Sequence, residues 1–190
     1  MGADSSPGPI LVLGPARSGK SRWAEHLALQ SGQPVVYLAT GPSPTDDDPS
    51  WSSRIAAHQR RRPSSWRSLE VGADLAASLH DLQPPGLALV DSLGTWVAGG
   101  LDLDAGAWVE RCAALTDALR QCAVPVVLVS EQTGWGVVPP TAIGGLFRDR
   151  LGALEQQLEP FCSGLWLVVA GRALDLRACS MPVPVDSASN

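Results

Sequence analysis

Five short runs of this chain are apolar from end to end and rich in β-branched residues. They are ILVLG (Ile10 to Gly14), VVYLA (Val35 to Ala39), LALVD (Leu87 to Asp91), VPVVLVS (Val124 to Ser130) and LWLVVA (Leu165 to Ala170). Each has strand length, and none alternates with polar residues, so each reads as a strand covered on both faces. Helical spacing fills the gaps. Trp108, Cys112, Leu115 and Leu119 share one helix face between Ala105 and Gln121, and Ile143, Phe147, Leu151, Leu154 and Leu158 share another. Strands alternating with helices predict an α/β fold, a mostly parallel sheet with helices on both faces. At 190 residues the chain suits a single domain. Its expected extent is residues 10–177, with a flexible N-terminal tail over 1–9 and a disordered C-terminal tail over 178–190. Polar or proline-rich breaks fall at Gly41 to Ser50, Gln83 to Gly86 and Pro139-Pro140.

The first strand runs into Gly14-Pro15-Ala16-Arg17-Ser18-Gly19-Lys20-Ser21, which fits G-x-x-x-x-G-K-[ST]. Such a loop turns backbone N–H groups inward around phosphate oxygens, and the following helix adds the positive end of its dipole. Lys20 is the only lysine among 14 basic residues; the other 13 are arginines. A compact ammonium suits a phosphate cradle where a planar guanidinium does not. Ser21 is placed to ligate Mg²⁺, and the acidic partner such a site needs is expected at the end of a neighbouring strand. Asp91 closes LALVD and is the candidate. The competing reading of Asp91 is a plain helix cap.

The stretch RIAAHQRRRPSSWRSLE, Arg54 to Glu70, puts His58 ahead of Arg60, Arg61 and Arg62. A largely neutral imidazole can attack phosphorus, and guanidiniums neutralise the charge that develops. The competing reading is a solvated basic helix face. His26 and His80 lack such company and read as surface or core residues. A net charge of -5 argues against nucleic-acid partners. The apolar runs are too short to span a bilayer and no signal-peptide pattern opens the chain, so a cytoplasmic location without stable membrane insertion is expected. Cys112, Cys122, Cys162 and Cys179 form no C-x-x-C pair and read as reduced, mostly buried thiols.

Taken together, these stretches resemble a known family, the bifunctional adenosylcobinamide kinase / adenosylcobinamide-phosphate guanylyltransferases of cobalamin biosynthesis. The likeness runs from about Ile10 to Leu176. It rests on GPARSGKSRWAE, YLAT, RIAAHQRRRPSSWRSLE, LVDSLGTWV, GWGVVP, LFRDRLG and LWLVVAG. The resemblance implies a P-loop NTPase-like domain with two reactions, using GTP and ATP as substrates with Mg²⁺. A nucleoside triphosphate phosphorylates the aminopropanol hydroxyl of adenosylcobinamide. GTP then guanylylates a histidine, and the GMP passes to adenosylcobinamide phosphate, giving adenosylcobinamide-GDP. The family histidine maps to His58, with Lys20 and Asp91 as the other catalytic residues and Ser21 and Asp91 at the metal. Nucleotide contacts are implied for Gly14, Pro15, Ala16, Arg17, Ser18, Gly19, Lys20, Ser21, Ala39, Thr40, Gly41, Gln59, Arg60, Arg61, Arg62, Glu70 and Asp91. A homotrimer is implied too. Trp51, Trp66, Trp96 and Trp135 are candidates for its contacts or, alternatively, ordinary core aromatics.

The chain departs from the family pattern at three places. The Asn-Glu before the Val-Gly of one loop is Glu131-Gln132 here, followed by Thr133; Ser92 stands where Cys often follows the acid; and Glu155 replaces an Asn. Moving the loop carboxylate off position 132 is expected to weaken metal or hydroxyl handling in one step. Two other readings stay open on these residues: a monofunctional P-loop small-molecule kinase, without covalent nucleotide on His58, and a non-catalytic GTP-binding module.

Overall fold

The computed structural model describes residues 8–43, 49–136 and 139–184. The five expected strands are present and belong to a seven-stranded sheet. They are β1 (Ile10–Gly14), β2 (Val35–Ala39), β4 (Leu87–Asp91), β5 (Val126–Glu131) and β6 (Gly164–Val169), joined by β3 (Arg67–Glu70) and β7 (Arg172–Asp175). The strand order is β3-β2-β4-β5-β1-β6-β7. Every pairing is parallel except that of β6 with β7.

The principal helices are α1 (Lys20–Gln30), α2 (Pro49–Arg61), α3 (Leu75–His80), α4 (Leu93–Ala98), α5 (Ala105–Gln121), α6 (Ala142–Leu158) and α7 (Leu176–Cys179). They cover both faces of the sheet. Pleating sends Leu11, Leu38, Val90 and Leu128 to one side, against Leu75, Leu115, Leu151 and Leu154 from the helices. It sends Val12, Tyr37, Leu89 and Val129 to the other, against Ala24 and Ala28 of α1. Two covered faces are why the central strands carry no polar alternation.

The two added strands are edges with polar exteriors. Arg67, Ser68 and Glu70 of β3 are exposed. β7 folds back on β6 through a two-residue turn in which Ala170 (φ 51°) and Gly171 (φ 75°) both have positive φ, the requirement of a type I′ hairpin. β5 begins at Val126 rather than Val124, because Pro125 has no N–H to give to a ladder. Cys112, Cys122 and Cys162 are buried, Cys179 is exposed, and all four are free.

The expected helix faces hold with one exception: Ile143 is 59% exposed, one residue into the first turn of α6. The tryptophans divide. Trp96 is a core residue, 1% exposed, whereas Trp135 is 61% exposed and Trp66 packs partly buried against the α1-side core. The side chain of Trp51 lies outside the described residues, as do the ends of the two expected tails (residues 1–7 and 185–190), loop residues 44–48 and Val137-Val138. Pro9 is buried, and its carbonyl accepts the Ser163 N–H at 2.8 Å. Among the described residues no helix is long and apolar enough to cross a membrane.

Candidate active site

The strands β1, β2, β4 and β5 all end at the same sheet edge, where ligands of open α/β sheets bind. A cavity of about 510 Å³ opens there. Gly14 ends β1 in a place that admits no side chain. A Cβ would stand 2.5 Å from the Val168 carbonyl oxygen and 2.6 Å from Ser18 Oγ. Gly19, at φ 102°, turns the chain into α1 as its N-cap and offers no side chain to the helix's first N–H groups. Those donors are thus left for an anion. The loop is braced from beside it: Ser18 Oγ accepts the Lys20 N–H at 3.3 Å, and the Gly171 N–H donates to the Ser18 carbonyl at 3.0 Å. Lys20 itself is only 9% exposed.

β4 brings in Asp91. The following helix is capped by Ser92, not Asp91: Ser92 and Thr95 form a reciprocal capping box. The plain-cap reading of Asp91 therefore fails, and its carboxylate is directed elsewhere. Oδ2 accepts the Tyr37 hydroxyl at 2.8 Å and lies 3.5 Å from His58 Nδ1. Burial opposes charge on Asp91, but hydrogen bonds from His58, Tyr37 and Ser21 outweigh it and hold the carboxyl below the usual range. Burial, then the neighbouring Asp91, pushes the Tyr37 hydroxyl far above its ordinary value, so it stays a donor.

α2 carries His58 to the cavity. The three arginines that follow His58, two at the end of α2 and one just past it, divide. Arg61 pairs with Glu25 of α1, Nη2 to Oε1 at 3.0 Å. Arg62 lies over the Tyr37 ring, 3.3 Å from its centroid, and its Nη1 donates to Ser68 Oγ at 3.5 Å. Arg60 is exposed and does not line the cavity. A uniformly solvated basic face is therefore not what the helix presents.

β5 brings in Glu131. It pairs in register with Gly14, and its side chain lines the cavity. Oε1 stands 4.0 Å from Lys20 Nζ, and Oε2 accepts the Gly94 N–H at 3.0 Å. Burial outweighs Lys20 and pushes the Glu131 carboxyl up. Gln132 turns the other way: its Nε2 donates to Glu155 Oε2 at 3.1 Å, while Ser130 Oγ donates to Oε1 at 2.6 Å. Burial, with Glu131 nearby, pushes Glu155 up to about 7. The carboxylate expected to be lost with Gln132 is thus supplied to the cavity by its neighbour.

Of the residues singled out from sequence, Arg17, Ser18, Gly19, Lys20 and Ser21 line the cavity from the loop. Ala39, Gly41, His58, Gln59, Arg61, Arg62, Glu70 and Asp91 line it from the other elements. Gly14, Pro15, Ala16, Thr40 and Arg60 do not. Gly14 is packed beneath the loop, and Thr40 is buried, with its hydroxyl donating to the Ser92 carbonyl at 2.6 Å and accepting the Ser92 N–H at 2.9 Å. Tyr37, Ser68 and Thr95 join the lining without having been anticipated. Tyr37 carried a signal: it is the only tyrosine, set in an apolar strand, and a buried hydroxyl needs a partner. Among the described residues there is no cluster of three or more His, Cys, Asp or Glu able to hold a metal.

Residues 10–176 match the family described as cobinamide kinase / cobinamide phosphate guanyltransferase. The bifunctional adenosylcobalamin biosynthesis protein CobP of Pseudomonas aeruginosa is 38% identical over 169 residues, which cover 88% of this chain and 96% of the relative. The bifunctional adenosylcobalamin biosynthesis protein CobU of Escherichia coli is 35% identical over 183 residues, 88% of this chain and 99% of the relative. A solved Pyrococcus horikoshii OT3 structure superposes with a TM-score of 0.56 at 8% identity, over 90% of this chain and 86% of that one, a likeness of fold alone.

Proposed function

The chain belongs to the cobinamide kinase / cobinamide phosphate guanyltransferase family, and we propose that its single phosphate-loop cavity serves both reactions, with His58 carrying GMP between them. The observation that supports this reading is the 3.5 Å approach of His58 Nδ1 to Asp91 Oδ2 at the mouth of the loop. A carboxylate on Nδ1 orients the imidazole and leaves Nε2 as the nucleophile.

In the guanylyl half, Nε2 attacks the α-phosphorus of GTP. The N–P bond forms, the bond to the α–β bridging oxygen breaks, and pyrophosphate leaves. A phosphate oxygen of adenosylcobinamide phosphate then displaces His58 from the same phosphorus. Asp91 steadies the imidazolium side of both displacements, and Arg62, held over Tyr37, faces the anionic phosphates. Arg61, tied to Glu25, fixes α2 against α1 and so sets where His58 stands. In the kinase half, the loop N–H groups and Lys20 take the charge that develops as the γ-phosphoryl moves to the aminopropanol hydroxyl.

Ser21 and Asp91 are hard oxygen donors in mutual contact beside Lys20, a set that fits Mg²⁺ arriving with nucleotide phosphates and held by one or two protein oxygens. When bound, the ion neutralises phosphate charge. ATP or GTP and the corrinoid are the small-molecule substrates, and a trimer remains the expected assembly.

The test is incubation with GTP labelled at the α-phosphate, with Mg²⁺, followed by denaturing electrophoresis beside His58→Ala. An acid-labile, alkali-stable label present in the wild type and missing from the variant is the expected result. A wild type that binds GTP and takes no label would defeat the covalent step.

A further inference from the structure

Phosphoryl transfer to a hydroxyl needs a group that takes the hydroxyl proton, and three carboxylates line the cavity, Glu70, Asp91 and Glu131. Glu70 accepts the Ser43 hydroxyl at 2.6 Å on the edge strand β3, away from β1. Asp91 is committed to the Tyr37 hydroxyl and His58 Nδ1. Glu131 is not. It sits at the end of the strand next to β1, in register with Gly14, and its Oε1 is 4.0 Å from Lys20 Nζ. Lysine of such a loop reaches the β- and γ-phosphates, so a carboxylate beside that ammonium is beside the γ position. The Gly94 N–H holds Oε2 at 3.0 Å, the Ser92 hydroxyl also bonds the carboxylate, and Oε1 lies toward Lys20. Two further contacts keep the strand end in place. The Gln132 N–H donates to the Gly14 carbonyl at 2.9 Å, and Ser130 on the other side bonds Glu155.

We propose that Glu131 is the general base of the kinase step, receiving the proton of the acceptor hydroxyl, and that it has no corresponding part in guanylylation of His58. This rests on the kinase and guanylyl reading above. The acceptor O–H bond breaks and its proton goes to the Glu131 carboxylate. The acceptor oxygen bonds to the γ-phosphorus, and the bond from that phosphorus to the β–γ bridging oxygen breaks, releasing the nucleoside diphosphate. The guanylyl half needs no such base, because a neutral imidazole nitrogen brings no proton to the attacking atom. Glu131 thus serves the kinase step alone, while Asp91 orients His58 for the other.

Phosphorylation of adenosylcobinamide and α-phosphate labelling of His58 are measured side by side for the wild type, Glu131→Gln and Glu131→Asp. Gln keeps an oxygen for the Gly94 N–H. The expected result for Glu131→Gln is a fall in kinase kcat of about 10²- to 10⁴-fold, with nucleotide KM near the wild-type value and a far smaller loss of labelling. Asp restores part of the kcat. A raised nucleotide KM with kcat intact would overturn the proposal, since Glu131 would then only steady Lys20. Equal losses of kinase and labelling would overturn it as well, as the signature of a structural role. Wild type that labels His58 but does not phosphorylate also overturns it; wild type that does neither defeats the reading beneath it.

Discussion

The Tyr37 hydroxyl donates to Asp91 Oδ2 at 2.8 Å, joining β2 to β4 under the cavity. Tyr37→Phe removes that bond and keeps the ring that carries Arg62. A hydrogen bond to a charged group contributes about 1.5–3 kcal/mol, and a loss of that order is expected in urea unfolding at neutral pH. Asp91 has a depressed carboxyl, so its contribution is present above the ordinary carboxylate value and is lost as pH falls through its folded value. Without Tyr37 that folded value rises toward the unfolded one, so the acid-side loss of stability is smaller and is complete at a higher pH than in the wild type.

Asp91→Asn separates orientation from charge. Asn fills the same space, but no longer favours the tautomer with hydrogen on His58 Nδ1. The labelling rate of His58 is expected to fall by about 10²-fold or more, and by more than in Tyr37→Phe, which leaves the carboxylate in place. Single-turnover labelling with GTP distinguishes the two variants. Equal rates in both would remove Asp91 from its orienting role.

Gly14→Ala tests the close packing beneath the loop. The added methyl meets the Val168 carbonyl and Ser18 Oγ, and the first is backbone that cannot swing aside. Strain of about 1–3 kcal/mol is expected, with nucleotide binding weakened because the loop itself must move. Thermal unfolding and nucleotide titration measure both effects. Gly145→Ala, where an added methyl meets nothing, is the control.

Much of this arrangement is legible in the amino-acid sequence. The five inner strands are apolar because both sheet faces are covered, and the loop from Gly14 to Ser21 announces its own geometry. β3 and β7 are not legible there, because edge strands with polar exteriors carry no hydrophobic run, and the Ala170-Gly171 turn lacks the Asn-Gly that marks such hairpins. Whether Asp91 or its neighbour caps the next helix is ambiguous in sequence, and Ser92 takes the cap. Glu131 and Gln132 cannot be sorted from sequence, since adjacent residues at a strand end point to opposite faces and one residue of register decides whether the carboxylate or the amide enters the site. Pairing of Arg61 with Glu25 is a contact across 36 positions, which no local pattern encodes.

Glu155 predicts a dependence on pH that runs opposite to that of Asp91. Its carboxyl is pushed up to about 7, so the folded protein binds its proton more tightly than the unfolded chain does. Stability from this group is therefore full below the ordinary glutamate value and is lost as pH rises through about 7. Glu155→Gln is expected to flatten that decline and to leave the protein more stable than wild type on the alkaline side. Gln132→Glu should do the reverse, because it sets a second carboxylate where Gln132 Nε2 now lies 3.1 Å from Glu155 Oε2. Denaturant midpoints for the three proteins across this range give the comparison. Parallel curves would show that Glu155 does not titrate there.

Arg61 is half-exposed, but its partner Glu25 is buried on α1, beyond Lys20, so the ion pair ties the helix of His58 to the helix of the phosphate loop. Arg61→Ala leaves the Glu25 carboxylate buried without its cation, which costs about 1–3 kcal/mol. Glu25→Gln is milder, because Gln can still accept from the guanidinium. If the pair positions His58, both variants slow labelling of His58 in proportion to the loss of the contact, while phosphorylation of adenosylcobinamide, which in the proposed mechanism does not use His58, is less affected. The split between the two rates separates positioning from a general loss of stability, which would lower both together. Arg60→Ala supplies the internal comparison: Arg60 is exposed on the same helix and lies away from the cavity, so its loss is expected to change neither rate.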